Sequence, residues 1–298
     1  MIFKLATQNE EECYSTILDD IIVKNNYNTA AMKFNNQNRL LYLALEPQDK
    51  PMFKKSPVCL VAHIDTVNRD SFPPDCIYKE DQVYPKVNGY EPSRYIAETG
   101  KVFDDRAGIG IILSLLHDLW GKHIFPYILI MGLEELGCVG ASEFANDYDE
   151  LEDVFPHNNI QLLLEVDKAG QSKVCFYDLD YPDFERLFTP YFQEVGGTFS
   201  DISVLCPWFD IAGANVSAGY YLEHSANEYI TETSVVESKK SIFNFIVDFQ
   251  KYDGNPKYEY IGLDNIYSNY QDYYMGEVDE DFEKTISEIE SSIEEELR

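Results

Sequence analysis

Four apolar runs in this sequence stop at histidine or carboxylate side chains. Val58-Cys59-Leu60-Val61-Ala62 closes on His63-Ile64-Asp65, the run from Phe125 to Leu133 on Glu134-Glu135, and the run from Ile160 to Val166 on Asp167. The run from Ile211 to Val216 leads through Tyr220-Tyr221-Leu222-Glu223 to His224, and Asp104-Asp105 stand just before the apolar positions Ile109, Ile111, Ile112, Leu115, Leu116 and Leu119. Taken singly, each residue has a plainer reading: a structural histidine, a solvated glutamate pair, an aspartate that caps a helix. Together they make a donor set. Two imidazoles and several carboxylates suit Zn²⁺, with Mn²⁺ or Co²⁺ as substitutes. Two such cations held close together also need a carboxylate between them to offset their repulsion.

The elements that must position these residues follow from the hydrophobic pattern. Apolar positions Ile17, Leu18, Ile21 and Ile22 predict a helix over Glu10 to Lys24, and short extended runs follow near Ala31 to Phe34 and Leu40 to Leu45. Further helices are expected after Asp105, ending near Trp120-Gly121, and over about Gly140 to Tyr148, Asp183 to Gln193 and Thr233 to Gln250. Between them lie the strand Lys173 to Tyr177 and a turn at Ser200-Asp201-Ile202. Near-continuous apolar strands alternating with helices predict a three-layer α/β/α domain with a mixed, largely parallel central sheet. In such sheets ligands gather outside the carboxyl ends of the strands, where these residues fall. The polar stretch from Asn68 to Lys101, broken by Pro73, Pro74, Pro85, Gly89 and Pro92, reads as a long loop, either a wall of the substrate pocket or plain surface. The expected organisation is one catalytic α/β domain over residues 1–252 and an acidic, Tyr-rich C-terminal extension over 253–298.

Bulk properties narrow the classes. The 298 residues carry 23 Lys and Arg against 53 Asp and Glu, a formal charge of −30, which repels nucleic-acid phosphates and anionic lipids. Six cysteines at positions 13, 59, 76, 138, 175 and 206 form no C-x-x-C pair and no regular framework, so they read as reduced thiols. No apolar stretch reaches the roughly 18 residues that span a bilayer, and the N-terminus lacks a signal-like apolar core. A cytoplasmic location is expected, as are a peptide or small-amide substrate and no nucleic-acid or membrane partner; a homo-oligomer is compatible with all of this.

The segments Ala62-His63-Ile64-Asp65-Thr66-Val67, Phe103-Asp104-Asp105-Arg106-Ala107-Gly108, Gly132-Leu133-Glu134-Glu135-Leu136-Gly137 and Glu223-His224-Ser225-Ala226-Asn227-Glu228-Tyr229 resemble the ordered motifs of the co-catalytic zinc exopeptidases. That superfamily includes the leucyl aminopeptidases, glutamate carboxypeptidase, peptidase T and the tetrahedral aminopeptidases. The resemblance implies two zinc ions, the first held by His63 and Asp167, the second by Glu135 and His224, with Asp104 bridging both. It makes Glu134 the general base and Asp65 the partner that hydrogen-bonds His63 so that its other nitrogen faces the metal. It also makes Asp104-Asp105 a candidate cis peptide. Glu165 and Asp167 share a strand face, but Asp167 lies nearer the strand end and matches the family position better.

The implied chemistry is amide hydrolysis by a water whose pKa falls from about 15.7 towards 7 on zinc, with Glu134 taking its proton and returning it to the leaving amine. The stretch between Asp167 and His224 is filled by predicted strand, helix and turn, so no lid domain fits and the compact aminopeptidase-like subgroup is the better match. Ser200-Asp201 resembles that subgroup's Ser-Asp-His motif, with Ile202 where the histidine would stand. Tyr220 and Tyr221 are the candidates for stabilising an oxyanion, against the plainer role of core or pocket wall. A metallo-aminopeptidase or related exopeptidase is therefore expected. A dimetal deacylase of small N-acyl compounds is the alternative, and an inactive scaffold of the same fold is disfavoured because the whole donor set is present.

Overall fold

The continuous apolar runs become the buried strands in the middle of a sheet. The computed structural model describes residues 1–49, 54–67, 76–78, 94–97, 102–151, 159–177, 182–197, 199–225 and 228–252, with main chain only at 22–23, 76–78, 94–97 and 150. Its strands are β1 (Tyr27–Phe34), β2 (Leu40–Pro47), β3 (Lys54–His63), β4 (Cys76–Tyr78), β5 (Arg94–Ala97), β6 (Ile124–Met131), β7 (Leu162–Lys168), β8 (Lys173–Cys175), β9 (Gln193–Glu194), β10 (Gly213–Ser217), β11 (Tyr220–Tyr221) and β12 (Tyr229–Thr231). The helices are α1 (Ile2–Ala6), α2 (Glu10–Leu18, continued by a wider π turn over Asp19–Lys24), α3 (Arg106–Trp120), α4 (Val139–Asn146), α5 (Tyr148–Leu151), α6 (Pro182–Glu185), α7 (Asp201–Phe209) and α8 (Glu232–Phe249).

Eight strands form the main sheet in the order β1-β2-β6-β3-β7-β10-β8-β9. Its centre, β6-β3-β7-β10, is parallel throughout, while β1, β2 and β8 pair antiparallel towards the edges. Every residue of β6 is buried, as expected for a strand covered on both faces. Helix α3 lies against β3, β6 and β7 and carries α1 and α8, while α4 and α7 pack on each other over β2, β3, β7 and β10. The sheet thus sits between two helical layers, the mixed, largely parallel α/β architecture expected from the pattern. Among the described residues no helix is long and apolar enough to cross a membrane. Cys13, Cys59, Cys138, Cys175 and Cys206 are buried thiols.

The structure departs from expectation in three places. Ser200-Asp201-Ile202 opens helix α7 rather than a bare turn; Ile202, Leu205 and Cys206 recur at helical spacing and are buried, a signal obscured by Pro207 inside the helix. The helix expected over Asp183 to Gln193 stops at Glu185, and a series of turns carries the chain on to Tyr191. Pro190 removes a backbone donor and disfavours helix at Thr189, so helical geometry cannot run through. Phe184 and Phe188 still bury their rings, and Phe188 stacks on Phe245 of α8 with centroids 4.2 Å apart. The stretch read as a loop from Asn68 to Lys101 contains β4 and β5, which join β12 and β11 in a second, antiparallel sheet. The rest of that stretch, and the extension over 253–298, lie outside the described residues.

Helix α3 starts immediately behind Asp104, so its seating matters to the site. Gly108 faces β7 so closely that an added Cβ would lie 1.8 Å from the carbonyl oxygen of Val166 and 2.3 Å from Asp105 Oδ1. Gly108→Ala gains at most about 1 kcal/mol of helix propensity but forces backbone apart in a packed layer, an overpacking cost of about 1–3 kcal/mol or more. The expected net result is destabilisation, read as a lower denaturant midpoint. A variant as stable as the parent would show that α3 can shift freely on the sheet.

Candidate metal centre

The four central parallel strands all end on one side of the sheet, and the donors sit there. His63 is the last residue of β3, in register with Met131 at the end of β6. Beyond Met131 the chain turns sharply: a Cβ on Gly132 would come within 1.9 Å of the Leu40 carbonyl, so only glycine allows the passage. Leu133 then takes a left-handed conformation (φ 61°) before Glu134-Glu135 in a 3₁₀ turn over Glu134–Leu136. His224 is left-handed too (φ 59°). Non-glycine residues in this region cost of order 1 kcal/mol or more and concentrate at functional sites. Asp167 is the penultimate residue of β7, and the Asp104-Asp105 peptide is cis.

Asp104 lies between the two histidines. Its Oδ1 is 3.2 Å from His63 Nε2 and its Oδ2 is 3.2 Å from His224 Nε2. His63 Nε2 also faces Asp167 Oδ1 at 3.4 Å and Glu134 Oε2 at 3.8 Å, while His224 Nε2 is 3.1 Å from Glu135 Oε2. Among the described residues, three groups of donors converge closely enough to hold a cation: His63 with Asp104 and Asp167, Asp104 with Glu135 and His224, and His63 with Glu134 and Glu135. The first two share Asp104. Within each, one ligand atom per residue lies within 4.8 Å of the others. All six residues singled out from the sequence are therefore gathered in one place, and Asp65 lies beside them.

The charge balance of this cluster fits cations. Burial, aided by neighbouring carboxylates and opposed by the histidines, raises the Glu134 carboxyl to about 8 and that of Glu135 to about 7. Burial also raises Asp167, with Asp104 adding to the effect. The imidazoles respond in the opposite sense. Burial disfavours the charged form of His63, but hydrogen bonds to Asp104, Asp167 and Asp65 outweigh it and hold the ring well above its usual value. His224, hydrogen-bonded to Asp104, rises to about 9. Without cations the cluster thus recruits protons to supply positive charge. Three carboxylates and two neutral imidazoles would leave little net charge once two divalent cations were bound, and binding would release those protons.

Surrounding groups fix the donors. His63 Nδ1 donates to the main-chain carbonyl of Asp65 at 3.1 Å, which leaves Nε2 turned into the cluster. The Asp65 carboxylate stands 3.6 Å from that nitrogen; it accepts the backbone N–H groups of Glu134 at 3.0 Å and Glu135 at 3.3 Å. Asp65 thus meets His63 through its main-chain carbonyl, with its carboxylate close by, and the same carboxylate organises the glutamate turn. Asp167 accepts from Asn215 Nδ2 at 3.3 Å and from the Tyr220 hydroxyl at 3.1 Å, and that hydroxyl also bonds the Asp167 carbonyl. Tyr220 is therefore engaged in holding Asp167, and Tyr221 stacks on Tyr229 with centroids 5.1 Å apart. Glu165 turns to Ser200, whose hydroxyl donates to it.

Asn215 was not assigned to the site from the sequence, and Ser200 and Glu228 were named only as members of motifs, with no role given. Glu228 accepts the backbone N–H of Phe103 at 2.8 Å and that of Val102, bracing the approach to Asp104. Glu228 had a sequence signal in its place in the segment after His224, and Ser200 one in the Ser200-Asp201 resemblance, while Asn215 had none. Tyr220→Phe removes one hydroxyl from Asp167 and leaves the ring packed. The expected effect, if Asp167 holds a metal, is a loss of affinity up to about 10- to 100-fold with the fold intact, measured by competition with a chelator. Unchanged affinity would mean that Tyr220 only fills the core.

The main chain can be compared with solved structures. It superposes on the crystal structure of aminopeptidase PepT from Bacillus cereus with a TM-score of 0.59 at 11% identity, covering 84% of this chain and 97% of that one. A tripeptidase from Staphylococcus aureus gives 0.58 at 12% identity with the same coverage. The chain shares the fold of these two peptidases. LapB from Legionella pneumophila gives 0.52 at 16% identity, over 84% of this chain and 66% of that one. No family model matches the sequence, and a search of curated proteins finds no match. At these identities the likeness speaks for the fold, and any chemistry must be argued from the side chains.

Proposed function

We propose that this chain is a metal-dependent exopeptidase, an aminopeptidase by preference, with its catalytic domain over residues 1–252. The observation that carries the reading is Asp104, whose two oxygens face the two histidines of separate donor groups. On this reading His63, Asp104 and Asp167 hold one zinc and Asp104, Glu135 and His224 the other, with Mn²⁺ or Co²⁺ able to substitute. Bound cations would acidify a water and polarise the scissile carbonyl. Glu134, beside His63 and raised towards neutral pH by burial, suits a group that accepts the water's proton and returns it to the leaving amine. Asp65 keeps Glu134 and Glu135 in place through their backbone N–H groups.

The neighbours of similar fold that are named as an aminopeptidase and a tripeptidase support a peptide substrate. The test is metal analysis of the purified protein together with assays on amino-acid p-nitroanilides and N-acyl amino acids. Two metals per chain and release of the N-terminal residue are expected. Cleavage of N-acyl amino acids alone would make it a deacylase of the same site. A metal-loaded protein inert to a dipeptide library would be an inactive scaffold.

A further inference from the structure

A cleft of about 360 Å³ has walls that include Lys168, Lys173, Gly170, Tyr221, Glu223 and Tyr229. Lys168 directly follows Asp167 and Glu223 directly precedes His224, so the cleft adjoins both donor groups along the chain. Its two lysines bring positive charge to one wall of a molecule of formal charge −30. Lys24, Lys33, Lys55, Lys239, Lys240 and Lys251 each have a carboxylate within 4.0 Å. Among the described residues Lys168 and Lys173 have none, a state they share with Lys4, Lys54 and Lys122, but only these two line this cleft, and Glu223 on its rim is beyond that distance from both. Lys173 folds over Gly170, where an added Cβ would meet its Nζ at 3.0 Å. Its own backbone N–H is anchored by Ser217 Oγ at 2.9 Å, which holds the residue at the cleft wall.

We propose that this cleft is a substrate subsite that binds a carboxylate, with Lys168 and Lys173 as the recognising charges. The proposal rests on the hydrolase reading of the adjoining centre and narrows its substrates to short peptides that present an anion beyond the scissile bond. Two sources share this chemistry, the free C-terminus of a short peptide and an acidic side chain. Two ammonium groups with no carboxylate within 4.0 Å among the described residues give a carboxylate charge-assisted hydrogen bonds that an amide cannot match.

The test uses the full chain loaded with zinc. Turnover of Ala-Ala-Ala, its C-terminal amide and the amide of Ala-Asp-Ala is compared, and binding of the same peptides to the Glu134→Gln protein is measured by calorimetry. The free acid should bind about tenfold tighter than its amide, a difference of ~1.4 kcal/mol. That preference should vanish in Lys173→Met, weaken in Lys168→Met and survive in Lys173→Arg. Tight binding of the Ala-Asp-Ala amide would assign the anion to a side chain, and weak binding would assign it to the C-terminus. Equal affinity for acid and amide, a preference indifferent to both Met variants, or no binding of any peptide overturns the proposal. Turnover of acid and amide at equal kcat/KM sinks the subsite and leaves the hydrolase. A lysine-dependent preference in binding without turnover by the parent protein sinks the hydrolase and leaves the subsite.

Discussion

Glu134→Gln is expected to lower kcat by about 10²- to 10⁴-fold while two metals per chain remain bound. The substitution keeps the side-chain volume and leaves the backbone N–H that Asp65 accepts. It removes only the capacity to take and return a proton. Because neighbouring carboxylates press on Glu134, neutralising it also relieves like-charge repulsion, so the metal-free variant should melt no lower than the parent. Rate and metal content must be read together. A variant with intact metals that keeps a tenth or more of parental activity would remove Glu134 from the chemistry. A variant that loses metal along with activity would make Glu134 a ligand, as its grouping with His63 and Glu135 allows.

Asp104→Asn should have the larger effect on the metals themselves. An amide offers one oxygen where the carboxylate offers two, and it cannot place negative charge between two cations. At this position one oxygen faces His63 and the other His224, so either orientation of the amide turns an N–H₂ towards one donor group. Stoichiometry is expected to fall from two metals to one or none, with affinity reduced by more than the roughly 10- to 100-fold typical of an outer-sphere change. Turnover should fall with it. Equilibrium dialysis followed by elemental analysis reads the outcome. Two metals bound at parental affinity would contradict the bridging role and, with it, the two-cation reading.

The central sheet was legible because its strands are buried on both faces. A strand such as Ile124–Met131 cannot alternate polar and apolar residues when helices cover it on each side, so it appears as an unbroken apolar run. Helices α3 and α8 were legible from apolar spacing and their starts, with Asp105 accepting the Gly108 N–H at 2.9 Å and Thr231 that of Ser234 at 3.0 Å. Helix α7 was not, since a proline within it mimics a break. The small second sheet was not either: β5 and β12 are strands because they pair with each other across more than a hundred residues, which no local pattern encodes.

The residue order by itself determined which side chains would meet: parallel strands converge at their carboxyl ends, so a His or carboxylate closing each apolar run must arrive on the same edge of the sheet. Tertiary structure alone decided how they meet. The two oxygens of Asp104 divide between His63 and His224, Asp65 meets the imidazole with its main-chain carbonyl while its carboxylate accepts from the glutamate turn, and Tyr220 spends its hydroxyl on Asp167. These are choices among partners within a few ångströms of one another. They depend on side-chain rotamers, desolvation and mutual repulsion in a closed space, none of which has a period that a linear pattern can carry.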